Sequence, residues 1–188
     1  SVLIQTSTKL ESQAMQTGTE TTEEVATGLA VYDIKGSVTD DDDDNIDDLI
    51  IGVRARAGSK EIDLSTCVVE ISDGTNKIVL SYGAADGTYF QADGSGIDGI
   101  FSQTIFPTNA YQFGLLVVED ADDSVSAADP VINKGDKVLL GVTADQIFTD
   151  GIDERTDVFG TVMPETGSPG VIGFTSPASY NDVIIDLQ

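Results

Sequence analysis

"LIIGVRARA", residues 49–57, decides the fold class. Ile51, Val53 and Ala55 alternate with Gly52, Arg54 and Arg56. That period of two puts the apolar set on one face of a strand and the polar set on the other. The same short, β-branched kind of run recurs in both directions along the chain. On one side lies "VATGLAVYDI". On the other lie "TCVVEIS", "KIVLSY", "YQFGLLVVE", "DKVLLGV", "DVFGTVM", "GVIGFTS" and "NDVIIDLQ". In the last of these, Val183, Ile185 and Leu187 alternate with Ile184 and Asp186. Nineteen glycines and the dipeptides "DG" and "PG" punctuate the runs as turns. Eight to ten short strands at this spacing predict an all-β fold, an immunoglobulin-like antiparallel β-sandwich.

Only the start departs from this pattern. Leu3, Leu10 and Ala14 fall at i, i+7 and i+11, one face of a helix. Gly18 can interrupt that helix, and Thr21 with Glu24 has capping-box spacing. The expected organisation is a helical segment over residues 1–24 and one β-sandwich domain over residues 25–188. No fixed-period repeat or linker is visible. The longest apolar run falls far short of the roughly 20 residues that span a bilayer, so no membrane span is expected in this chain.

Charge narrows the function. Of the 188 residues, 33 are acidic and nine basic, a net charge of −24. Nucleic acid is excluded as a partner, because phosphate binding needs a basic stripe. An acidic surface of this size fits solvation, cation binding or adaptation to salt. His and Trp are absent and Cys67 is the single cysteine. That removes Ser-His-Asp triads, Cys-His pairs, His-based zinc and copper sites, and internal disulfides. Cys67, within "TCVVEIS", reads as a small buried residue. Paired acids for glycoside hydrolysis would need an aromatic-lined cleft, and aromatics are only 6% of the chain. No enzyme is expected.

Three acidic clusters remain. Asp40–Asp44 with Asp47 and Asp48 reads as a solvated hairpin loop or a loose calcium-attracting one. In "DGSGIDG", Asp93 and Ser95 occupy the first two ligand positions of a calcium loop. Ile97, Asp98 and Thr104 then stand where a third ligand, the turn glycine and the closing Glu belong, so this is no EF-hand. Its glycines can still turn carbonyls inward, and Asp98 adds a carboxylate. "EDADDS" follows an apolar strand, and Asp120 and Asp122 share a side if that strand continues. Each of these two clusters is either a plain turn or a cation site. With Asp93, Ser95, Asp98, Asp120 and Asp122 as candidates, only oxygen ligands are on offer. They favour a hard divalent ion in a structural role, Ca²⁺ ahead of Mg²⁺.

Four ordered blocks carry a resemblance. "SVLIQTSTKLESQAMQTGTETTEEVATGLAVYDIKG" resembles the segment after the hydrophobic helix of archaellins, the archaeal flagellins. "LIIGVRARAGSKEIDLST" resembles their first sandwich hairpin. "FGLLVVEDADDS" with "DPVINKGDKVLLGV" resembles a central block, and "ERTDVFGTVMPETGSPGVIGFTSPASYNDVIIDLQ" the C-terminal end. Residues 73–110 carry the least specific part.

The resemblance implies a structural subunit of the extracellular archaellum filament, used for swimming and surface adhesion. It implies a homopolymer with helices in the filament core and sandwiches in the sheath. A prepilin-type peptidase and the archaellum motor would be partners of the precursor. Val2, Leu3, Ile4, Leu10 and Ala14 then read as the last turns of the core helix, with the upstream part absent. Some members hold a metal in the sandwich, in keeping with the acidic clusters. Archaellins often carry N-glycans, but Asn45, Asn76, Asn109, Asn133 and Asn181 all fail the N-x-Ser/Thr rule. A surface-layer or adhesin sandwich binding carbohydrate or protein is the alternative; an aromatic-lined groove would favour it.

Overall fold

The computed structural model describes residues 5–16, 27–39, 45–83, 87–94 and 96–188. Residues 5–16 form a helix, α1, on which Leu10 and Met15 are 62% and 72% exposed. Val2, Leu3, Ile4, Gly18 and the Thr21–Glu24 pair lie outside the described residues, and so does Asp40–Asp44. No helix among the described residues is long and apolar enough to cross a membrane.

Twelve strands follow among the described residues. They are β1 (Leu29–Ser37), β2 (Asp48–Ala55), β3 (Ile62–Asp63), β4 (Val68–Ser72), β5 (Lys77–Tyr82) and β6 (Tyr89–Gln91). Then come β7 (Gln112–Glu119), β8 (Val131–Ile132), β9 (Lys137–Thr143), a single turn α2 (Ala144–Ile147), β10 (Asp157–Met163), β11 (Gly170–Thr175) and β12 (Ile184–Asp186). Every strand expected from alternation is present. β3, β6 and β8 were not expected, being two or three residues long.

The main sheet runs β11-β10-β4-β5-β7-β9-β2-β1-β12, with β6 beside β7. It curls into two facing halves, giving the expected sandwich. The halves meet at a short parallel joint, Ser81 opposite Gln112 and Tyr82 opposite Phe113. At the open side, the Leu29 amide donates to the Ser168 carbonyl at 2.9 Å, so the start of β1 meets the start of β11. Phe113, Ile51, Val53, Val69, Ile71, Leu80, Leu115 and Leu140 are sealed between the halves. Burying each such side chain contributes about 1.5–3 kcal/mol. Tyr82 packs edge-on against Phe113, with ring centroids 5.8 Å apart. Cys67 is buried as expected, and burial pushes its thiol up to about 12.

One departure concerns β2. Alternation predicts one buried face, yet Ile50 on the opposite face is also only 1% exposed. A second, smaller core lies there, made of Ile50, Ile105, Leu116 and Leu139. The irregular segment before β7 covers it, bringing Ile97, Ile100, Phe101 and Phe106. This cover lies directly on backbone. Gly114 on β7 pairs with Gly141 on β9, and the Ile105 carbonyl sits above both. Val183 is the other departure: at 64% exposed it does not share the burial of Ile185.

Asp48 opens β2 and provides a test of the electrostatics. Burial, then the Asp145 and Asp47 carboxylates, push its carboxyl from 3.8 up to about 6. As pH falls through about 6, the folded chain takes up a proton before the unfolded chain does, so this site adds stability until about pH 4. Asp48→Asn is therefore expected to raise stability at about pH 7 by about 1 kcal/mol, after allowing for partial solvent screening. It should also flatten the profile between about pH 4 and 6. Urea unfolding of both proteins across that range is the check; a parallel pair of profiles would refute the assignment.

Candidate functional site

The register of β7 and β9 builds the site. Glu119 pairs with Lys137, and their side chains form an ion pair at 2.9 Å. One step beyond this pair on each strand stand Asp120 and Asp136. The strand does not continue through "EDADDS", as the expectation for Asp120 and Asp122 assumed; β7 stops at Glu119. A tight loop instead folds Asp122 back. The Asp120 Oδ1 accepts from the Ser124 amide at 3.1 Å, and its Oδ2 from the Val125 amide at 3.0 Å. Asp123, at φ 55°, makes the turn.

Asp120, Asp122 and Asp136 each offer a carboxylate oxygen, all within 4.8 Å of one another. Asp136 is 2% exposed, and its Oδ1 has no hydrogen-bond partner. Its Oδ2 accepts from the Asn133 amide at 2.8 Å. Burial, and then the Asp120 and Asp122 charges, raise its carboxyl, while the Asn133 amide lowers it. The Asn133 side-chain amide donates to Asp122 at 2.7 Å and holds that carboxyl below its ordinary value. A buried orphan oxygen costs about 1–3 kcal/mol if left unpaired. Three carboxylates without a cation repel. The donor set is all oxygen, so the residues fit a hard divalent cation.

Sequence reasoning found Asp120 and Asp122 and missed Asp136. The signal was present: "VVED" and "GDKV" are mirror-related strand ends, but their pairing is visible only once β7 and β9 are adjacent. The other candidates are not brought into the cluster. Asp93 and Asp98 are exposed, and Ser95 lies outside the described residues. Their loop is a neighbour, since the Ala92 amide donates to the Val117 carbonyl at 3.0 Å. Gly94 and Asp120 line one shared depression.

The site thus stands at one end of a curled β-sandwich that is preceded by a helix. A family model for archaeal-type flagellin matches residues 1–174, and the chain belongs to that family. It is a structural subunit of the archaellum filament. It is 38% identical over 193 residues to flagellin B1 of Methanococcus voltae, covering all of this chain and 85% of that protein. It is 39% identical over 189 residues to flagellin B2 of Methanocaldococcus jannaschii, covering all of this chain and 84% of that protein. Among solved structures, the crystal structure of archaeal flagellin FlaB1 from Methanocaldococcus jannaschii superposes with a TM-score of 0.74 at 33% identity, over 87% of this chain and 98% of that one. The archaeal flagellum of Methanospirillum hungatei strain JF1 shares the fold, with a TM-score of 0.60 at 12% identity, over 98% of this chain and 86% of that one.

Proposed function

We propose that this chain polymerises with copies of itself into the cell-surface filament that drives swimming. The sandwich forms the outer sheath and α1 leads into the core. The observation carrying this reading is the family match over residues 1–174. Leu10 and Ala14 lie one turn apart on α1, a spacing that puts both on one face. The subunit is not an enzyme, and its work is mechanical. A peptidase of the prepilin type would process the precursor, the archaellum motor would turn the polymer, and adhesion would be a second use of its surface.

Within the subunit, Asp120, Asp122 and Asp136 would hold a structural Ca²⁺. The ion would neutralise three carboxylates and tie the ends of β7 and β9 to the loop between them.

The test of the filament role is expression of the full-length gene in archaeal cells that lack their own filament subunits. Electron microscopy should reveal filaments, and the cells should swim. Folded subunits at the cell surface without any filament would overturn the reading.

A further inference from the structure

The nine basic residues are unevenly spread. Four of them, Arg54, Arg56, Lys134 and Lys137, line one open depression of about 360 Å³. The rest of its lining is alanine and glycine apart from Asp136. Lys137 is neutralised by Glu119. Arg56 has its guanidinium on two backbone carbonyls, Leu29 at 2.8 Å and Pro169 at 3.1 Å, and meets no carboxylate there. Arg54 and Lys134 are exposed and make no ion pair among the described residues. Asp136 also lines the depression, but its carboxyl is buried and belongs to the acidic cluster. A concave, net-cationic surface thus sits on a chain of net charge −24.

That contrast selects the ligand class. A guanidinium and an ammonium across a small depression suit a carboxylate, which the arginine can hold with two hydrogen bonds. The volume takes one or two side chains of a loop, not a folded domain. In a helical polymer every contact is heterologous, one patch meeting a different patch on the next copy. Each neighbour carries 33 acidic residues against nine basic ones, so carboxylates are the commonest charged groups within reach. Like-charged subunits repel wherever they meet without compensation, and this depression supplies compensation.

We propose that the depression between Arg54, Arg56, Lys134 and Lys137 receives a carboxylate-bearing segment of the next subunit in the filament. The proposal rests on the filament reading above. The contact fixes the register of adjacent sandwiches and is weakened by salt.

The experiment places a photo-crosslinking amino acid at Ala57, an exposed residue of the same depression that carries no charge. Intact filaments of the labelled full-length subunit are irradiated. The expected product is a covalent dimer whose junction maps to an acidic segment of the second copy. Introducing Arg54→Glu and Lys134→Glu into the labelled subunit should cut the adduct about tenfold, which corresponds to about 1.4 kcal/mol of contact free energy. Should the reversed subunit fail to fold, the adduct in the parent at rising salt gives the same reading, because screening removes it. Filaments that form normally but yield no dimer at Ala57, or a dimer joined to a segment without acids, overturn this inference and leave the filament role intact. An adduct to a non-protein polyanion also overturns it. Absence of filaments from the unlabelled subunit is failure of the filament role itself.

Discussion

Chelation with EDTA is expected to lower the thermal unfolding midpoint of this protein, and added Ca²⁺ to restore it. Asp120, Asp122 and Asp136 converge within 4.8 Å, and the Asp136 Oδ1 is buried without a partner. An ion that binds the folded chain alone stabilises it by about 3 kcal/mol at a hundredfold excess over its Kd. For a domain of this size that is about 6–12 °C. Ca²⁺ should restore more than Mg²⁺, because a loop-borne carboxylate set suits flexible coordination better than a strict octahedron. Asp136→Asn separates the ion from the fold. The variant should lose its response to EDTA, yet melt no lower than the chelated parent, since one uncompensated buried charge is gone. An unchanged melt with no metal by elemental analysis would leave the acids as solvated turns.

The second large effect is steric. A methyl group at Gly114 would lie 2.0 Å from the Ile105 carbonyl oxygen and 2.8 Å from that of Thr88. At Gly141 it would lie 2.3 Å from the same Ile105 oxygen. Both obstacles are backbone, so no rotamer change relieves them. The covering segment must lift from the sheet, and it is anchored: the Thr143 hydroxyl donates to the Pro107 carbonyl at 2.7 Å, and Phe101 stacks on Phe106. Lifting it opens Ile50, Leu116 and Leu139 to water. Gly114→Ala is expected to destabilise by about 3 kcal/mol from overpacking and lost burial. The two single changes strike one carbonyl, so the double variant should cost clearly less than their sum. Chemical denaturation of the three variants measures this. Single variants within about 0.5 kcal/mol of the parent would contradict the close approach.

The two cores differ in how they are written in the sequence. Ile51 and Val53 alternate with their neighbours, so the main core could be read from β2 alone. The second core could not. Ile97, Ile100, Phe101 and Ile105 fall at i, i+3, i+4 and i+8, a helical spacing, yet the segment forms only a single 3₁₀ turn at Ile100–Ser102. What marks their site is a pair of glycines on adjacent strands, meaningful only once Gly114 faces Gly141. The acidic cluster behaves alike. Asp120 and Asp122 stood out as neighbours in sequence, whereas Asp136 joins them through strand register. β3, β6 and β8 escaped because a run of two or three residues has no period.

The pairing of β1 with β12 has a kinetic consequence. Lys35 and Asp186, 151 positions apart, face each other and join through their side chains. The Leu187 amide donates to the Ile34 carbonyl at 2.9 Å, and the Ile34 amide to the Gln188 carbonyl at 3.1 Å. The strand that starts the sandwich is thus finished by a strand 151 positions later in the chain. Loops of this span must close before their contacts reward them, so folding is slow by topology and β1 keeps a bare edge until β12 arrives. A nascent subunit is open to edge-to-edge aggregation throughout that interval, and any ribosomal stall before β12 emerges would prolong the exposure.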